Sequence, residues 1–316
     1  MTPDSPPPAT TPRTPVEPGI ARWVRQVAGG QDPRVGDSTP VVALATGSLP
    51  TRPVPPEQAQ VYVCAGVVVK IHPAHTDPAA LRRRLQLMAG PDTEPCWVQP
   101  LLYGPIPAPG GRVGSLWPRV TVLSSVDRPP WTEAAALLAR LHRAPLRGDP
   151  PRHGGHDRLA RALDRLAVRD DPDLAWLLRR GTALRDRLRH SPRLRWTHGD
   201  FHLGHLGHTV LRRRWKLIDV DDSGVGDPAW DLARPAGFWA TGLLDDESWT
   251  AFLTAYREAE GPAVPAQGDP WPSLELPAQA AVLVATVQAL EQPHRRETAE
   301  ALLAASRAIL RRQSTP

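Results

Sequence analysis

Apolar and polar positions change their spacing along this chain, and the changes predict its elements. Val41 to Leu44 and Val61 to Ile71 are two β-branched runs separated by a Gly/Pro-rich connection, which predicts strands of an antiparallel sheet. A helix should follow: Asp77 is its candidate N-cap, Pro78 takes the first position, where a missing N–H costs nothing, and Leu81, Leu85 and Met88 form the apolar stripe. After Gly90, residues 95–125 contain strand-like runs broken by a Pro/Gly turn and close the small N-terminal unit. From Trp131 the period is helical, over 132–145, 156–168, 173–190, 247–261, 276–292 and 297–313. One non-helical insert, Trp196 to Asp231, interrupts these helices. The outline is an α+β protein with a small sheet and one helix, then a larger helical unit, and no internal repeat.

Composition changes this picture at the ends and on the surface. Residues 1–18 carry prolines at 3, 6, 7, 8, 12, 15 and 18 among Ser and Thr, too little apolar surface to offset the entropy of ordering, so a disordered tail is expected there. The formal charge is +5, yet all but two of the 38 basic residues are arginine, the exceptions being Lys70 and Lys216. The arginines alternate with acids and leucines, as from Arg158 to Arg165, which predicts solvated helix faces rather than a nucleic-acid surface. The eleven tryptophans are scattered rather than interleaved with basic runs, which also argues against nucleic acid. Cys64 and Cys96 cannot make a disulfide framework, and neither has paired zinc-ligand spacing. The first residues lack the basic start and apolar core of a secretion signal, and the run Ala280 to Leu290 is too short to cross a bilayer. A soluble cytoplasmic protein without membrane contact is the expectation.

The insert carries the chemistry. Asp200 lies in a turn-forming His-Gly-Asp, and Asp219 follows the apolar run Trp215 to Ile218, where a strand would present its last carboxylate at a sheet edge. Between them, two short strands joined by the basic turn Arg212 to Arg214 would form a hairpin that brings both carboxylates together. Such a pair serves to bind a divalent cation or to share a proton. Phosphoryl transfer uses that arrangement, with one carboxylate orienting the attacking hydroxyl, another holding the metal, and a lysine from a separate strand on the phosphates. His198, His202, His205 and His208 could form a metal stripe only on a helix, which the glycines at 199, 204 and 207 argue against. His198 and His202 are instead expected to bond the loop backbone.

The insert resembles the aminoglycoside phosphotransferase family of the protein-kinase-like superfamily. The likeness runs through His198-Gly199-Asp200-Phe201-His202-Leu203-Gly204-His205, then Leu217-Ile218-Asp219, then Gly224 to Ala233, with Val67-Val68-Val69-Lys70 as a weaker N-terminal match. It implies a two-lobed fold, with a nucleotide-binding lobe over 19–100 and a catalytic and acceptor-binding lobe over 101–316. It implies ATP or GTP as donor, Mg2+ or Mn2+ as metal, and a small hydroxyl compound as acceptor. Asp200 would be the catalytic aspartate, Asp219 the main metal ligand and Lys70 the phosphate-binding lysine; Asp221 shares a face with Asp219 if the chain is extended and could assist it. Asp231 would tie the catalytic loop, and Asp227-Pro228 would start a helix.

Three departures from the family pattern stand out. His205 occupies the place where the family usually has a metal-binding asparagine, and as a ligand it should weaken metal binding as pH falls through about 6 to 7. Thr46-Gly47-Ser48 is the only candidate for a phosphate-covering turn, and the helix after Lys70 has no glutamate, leaving Glu57 or Glu94 as substitutes. These departures support a second reading, a nucleotide-binding scaffold of the same fold with little catalysis.

Overall fold

The computed structural model describes residues 16–44, 58–123, 128–169, 171–188, 193–208, 214–292 and 296–311. The expected tail over 1–15, the Thr46-Gly47-Ser48 turn, Glu57 and most of the Arg212 to Arg214 turn lie outside these residues. The chain forms two compact units, one from residues up to 78 with 100–119 and one from 79–99 with 120–316. The grouping is therefore not a linear cut near residue 100: the Pro78 helix joins the larger unit, and the strands after Pro100 join the smaller one.

In the smaller unit, α1 (Pro18–Gly29) packs on a five-stranded antiparallel sheet of order β1-β2-β3-β5-β4. Its strands are β1 (Val41–Leu44), β2 (Gln60–Cys64), β3 (Val67–Ile71), β4 (Ile106–Ala108) and β5 (Arg112–Pro118). Pro18 opens α1 rather than belonging to a tail, with the Glu17 carboxylate accepting the N–H groups of Gly19 and Ile20. The run Val61 to Ile71 is not one strand but the hairpin β2–β3, because Ala65 adopts φ +51° and reverses the chain. Asp32 anchors that turn by accepting the Gly66 N–H. Val24 and Ala28 of α1 meet Tyr62, Cys64, Val67, Val69, Ile71 and Leu116 of the sheet in one core cluster. Lys70 is buried on β3, opposite Val61 and Ser115.

The larger unit is mainly helical: α2 (Pro78–Met88), α3 (Trp131–Arg143), α4 (Gly155–Val168), α5 (Ala175–Arg187), α6 (Ala229–Ala240), α7 (Asp246–Glu258), α8 (Trp271–Leu290) and α9 (Arg296–Arg311). Its short strands are β6 (Thr121–Val122), β7 (Arg195–Thr197), β8 (Leu206–His208), β9 (Lys216–Leu217) and β10 (Gly224–Gly226). α8 has no polar stripe and packs against α4, α5, α6 and α9 as the central helix. It spans 20 residues, longer than the run Ala280 to Leu290, and is long and apolar enough to cross a membrane by length and composition alone; most of it is buried inside the protein, as in a core helix. Gly237 allows α6 to approach it closely, since a Cβ there would stand 2.9 Å from the Ala278 carbonyl oxygen. Cys64 and Cys96 are both buried and free.

Candidate active site

Two antiparallel pairings deliver the insert's residues to one place. β7 pairs with β10, setting Thr197 opposite Gly224, and β8 pairs with β9, setting Leu206 opposite Leu217. Asp200 lies in the turn after β7, and Asp219 lies two residues after β9 with φ +67°. At the turn itself Gly199 has φ +84°, and a Cβ there would fall on the Asp222 carbonyl oxygen, so the position requires glycine.

The turn is held from beneath by Asp231, which is fully buried on the first turn of α6. Its carboxylate accepts the backbone N–H of His198 at 2.6 Å and of Gly199 at 2.8 Å. His142 of α3 contacts the same carboxylate through Nε2 at 2.9 Å, while its Nδ1 meets the Tyr256 hydroxyl at 2.7 Å and Ala263 N–H reaches that hydroxyl at 3.1 Å. One proton arrangement satisfies every group: Ala263 donates to Tyr256, Tyr256 to Nδ1, and Nε2–H to Asp231. Burial disfavours the Asp231 anion, but the hydrogen bond from His142 and the backbone donors outweigh it and hold the carboxyl below its ordinary range. Asp227 accepts the Ala229 N–H at the start of α6, which begins one residue beyond Pro228.

Asp200 is clamped on both oxygens. Arg234 of α6 reaches Oδ1 at 3.1 Å and Arg158 of α4 reaches Oδ2 at 2.9 Å. Burial opposes the charge on Asp200, yet the two guanidinium groups more than compensate and hold it well below the usual carboxylate range. Arg158 also pairs with Asp222, and Arg161 lies 3.8 Å from the other Asp222 oxygen. Arg158 is thus no member of a solvated face, as its pattern predicts; it turns inward because α4 presents it to two carboxylates. Residues 221 and 222 form a turn rather than an extended chain, so the face shared by Asp219 and Asp221 does not exist as strand alternation. The Asp221 N–H instead donates to Asp219 Oδ1 at 3.2 Å.

His205 lies between the Asp200 backbone and the Asp219 carboxylate. Its Nδ1 bonds the Asp200 carbonyl oxygen at 2.9 Å, which requires a proton on Nδ1, and its Nε2 faces Asp219 Oδ2 at 3.6 Å. In the neutral ring Nε2 carries a lone pair, so two electron-pair donors face one another across a gap, an arrangement that fits a divalent cation. The His205 and His202 rings lie against one another, tilted by 36°, with centroids 3.8 Å apart. The Asp200 carboxyl group, His202 and His205 bring three potential ligand atoms within 4.8 Å of one another. An ion bound there would have to displace Arg158 or Arg234 from Asp200, so the Asp219–His205 gap is the better seat. His202 Nδ1 accepts the Gly204 N–H and His198 Nε2 bonds the Ile218 carbonyl at 2.9 Å, so both histidines serve the loop backbone as expected. Lys216 Nζ lies 3.4 Å from Glu94 Oε1.

Burial pushes the His205 imidazole down to about 4, with Asp219 and Asp200 opposing it. If it is a ligand, metal binding should therefore hold from pH 8 to about 5 and fall only near pH 4, below the window that the unperturbed side chain suggests. Replacing His205 with asparagine should move the Mn2+-over-Mg2+ preference toward Mg2+ by about tenfold, read by calorimetric titration of each ion. An unchanged preference places His205 outside the coordination sphere.

Among the described residues a cavity of about 730 Å³ lies nearby, lined in part by His153, His156, Asp227 and Trp230, but Asp200 is not in its wall. A second cavity of about 20 Å³ does border Asp200, together with Gly155, Arg158, Trp230 and Arg234.

With this geometry in place, the family model that matches the chain is that of the phosphotransferase enzyme family, over residues 117–271. The family segment holds Asp200, Asp219, Asp231 and the arginine clamp, while Lys70 lies before it. Solved structures share the fold. The choline kinase from Cryptosporidium parvum Iowa II is 12% identical with TM-score 0.58, over 93% of this chain and 95% of that one. A thermostable mutant of aminoglycoside phosphotransferase APH(4)-Ia is 15% identical with TM-score 0.57, over 88% and 96%. A choline/ethanolamine kinase family protein from Mesorhizobium loti is 15% identical with TM-score 0.53, over 94% and 96%. No curated protein matches the chain. The fold is therefore protein-kinase-like, with an antiparallel-sheet N-terminal region and a helical C-terminal region.

Sequence reasoning missed Arg158, Arg234 and His142. Arg158 and Arg234 look like ordinary helix-surface arginines, and nothing local marks His142 as the partner of a residue 89 positions away. The one usable signal was Asp231 itself, a carboxylate in an apolar helix that needs a cation or donors.

Proposed function

We propose that this protein transfers the γ-phosphoryl group of ATP or GTP to a hydroxyl of a small molecule. The observation that carries the reading is the Asp231-held turn that presents Asp200, with Asp219 brought beside it through His205. In this reading Asp200 orients the acceptor hydroxyl and takes its proton as the oxygen attacks the γ-phosphorus. The bond to the nucleoside diphosphate breaks, and the diphosphate leaves with the electron pair. Lys70 on β3 holds nucleotide phosphates. Asp219, with His205 and Asp221 as further donors, would hold Mg2+ or Mn2+, which when bound neutralises phosphate charge. The solved aminoglycoside 2'-phosphotransferase-IIIa in complex with GDP, 13% identical to this chain, supports a nucleotide donor. A cytoplasmic location belongs to the same reading.

A second reading, a scaffold with little catalysis, draws on the arginine clamp, which occupies both Asp200 oxygens. The discriminating experiment incubates the protein with labelled ATP or GTP, a divalent ion and a pool of hydroxyl metabolites, and follows phosphomonoesters by mass spectrometry. Transfer that needs the divalent ion and is lost in Asp219→Asn supports the phosphotransferase. Nucleotide binding without any product supports the scaffold. Lys70→Ala should raise the nucleotide KM if Lys70 holds phosphates, whereas unchanged nucleotide kinetics would remove that assignment.

A further inference from the structure

We propose that the phosphate acceptor is an anion, a hydroxyl compound bearing a carboxylate or phosphate group, and that Arg161 and Arg158 of α4 recognise that group. The inference rests on the phosphotransferase reading and names its acceptor class.

Arg234 and Arg158 meet Asp200, and Arg158 and Arg161 meet Asp222, while the Asp157 charge also acts on Arg161. Arg158 and Arg161 are one helical turn apart on α4 and therefore share a face. The carboxylates are already used: Arg234 and Arg158 hold the two oxygens of Asp200, and Arg158 and Arg161 meet those of Asp222. The donors are not exhausted. Arg161 reaches Asp222 only at 3.8 Å, beyond hydrogen-bond distance, and its side chain is 41% exposed. Arg158 keeps a buried Nε–H with no hydrogen-bond partner among the described residues. Unused planar donors next to the reacting carboxylate are matched by a ligand that brings oxygens and negative charge.

The space points the same way. The cavity at Asp200 is about 20 Å³, room for a water and no more. An acceptor larger than water reaches Asp200 Oδ2 only if a lining side chain yields room, and Arg158 is the one bound to that oxygen. An anionic group offers Arg158 and Arg161 a replacement partner in the same movement. A cationic acceptor offers none and brings a like charge next to Arg158 and Arg161. Once Arg158 has moved, Oδ2 accepts the hydroxyl proton, the hydroxyl oxygen bonds the γ-phosphorus of the nucleoside triphosphate, and the nucleoside diphosphate departs.

The test offers wild-type protein, ATP and a divalent ion with three acceptor pools: hydroxy acids with sugar phosphates, neutral polyols with sugars, and choline with amino sugars. The expected result is product from the anionic pool, with kcat/KM for the best anionic acceptor at least tenfold above its neutral isostere. Arg161→Gln should bring that ratio close to one, mainly through KM, and Arg161→Lys should keep part of it. Inorganic phosphate should compete with the anionic acceptor in the wild type, a readout that needs no variant. A best acceptor that is neutral or cationic, or a ratio that Arg161→Gln leaves unmoved, overturns the acceptor class while leaving phosphoryl transfer standing. No product from any pool overturns the phosphotransferase reading and this inference with it.

Discussion

Replacing Asp231 with alanine is expected to lower the free energy of unfolding by about 3–5 kcal/mol and to abolish whatever activity the His198-Gly199-Asp200 turn supports. The carboxylate is fully buried and accepts three donors, the N–H groups of His198 and Gly199 and Nε2–H of His142. Alanine leaves all three without an acceptor where water does not reach. Asparagine should rescue little, since its amide group would place N–H against N–H. Because the Asp231 carboxyl is held below its ordinary range, its contribution to stability is present above the unfolded carboxylate value, near pH 4, and is lost as pH falls through the folded value. Chemical denaturation of the wild type between pH 7 and pH 3 should therefore show a loss that Asp231→Ala lacks. Parallel pH profiles for the two proteins would mean that the strap contributes nothing in the folded state.

Asp200→Asn should reduce phosphoryl transfer about 10²- to 10⁴-fold, the range for removing a general base that also orients the nucleophile. The amide keeps the shape of the carboxylate but neither accepts the hydroxyl proton nor balances Arg158 and Arg234. Alanine is the poorer test, because it strips both arginines of a partner and mixes a stability effect into the rate. Nucleotide affinity, measured by titration of the intact protein, should stay within a few-fold of wild type. Should Asp200→Asn transfer phosphate at the wild-type rate, Asp200 is a structural partner of the two arginines and not the base.

Much of the fold was readable because its period is local. Leu138 and Leu141 on α3, and Leu159, Leu163 and Leu166 on α4, recur at helical spacing and are buried as that spacing predicts. β1 runs from Val41 to Leu44 as its β-branched residues predict. The errors share a cause. In Val61 to Ile71 the apolar run does not pause at Ala65-Gly66, so one strand was predicted where a hairpin forms. At Pro18 a Pro-rich composition continued into a helix that Glu17 caps. α8 reaches 20 residues because it starts at Trp271, ahead of its most apolar part.

By itself the sequence determined the order of the chemistry: a lysine on a valine strand, then His-Gly-Asp, then an aspartate after a short apolar run, then Gly-Asp-Pro and Asp231. Those features are local, set by turn-forming residues and by residue types whose burial is costly without partners. Only the tertiary structure decided what Asp200 faces. Arg158 comes from 42 residues upstream and Arg234 from 34 downstream, and no spacing along the chain foretells that α4 and α6 would aim both guanidinium groups at one carboxylate. That convergence is set by helix packing around α8, a non-local property, and it is what gives the loop carboxylate two arginine partners.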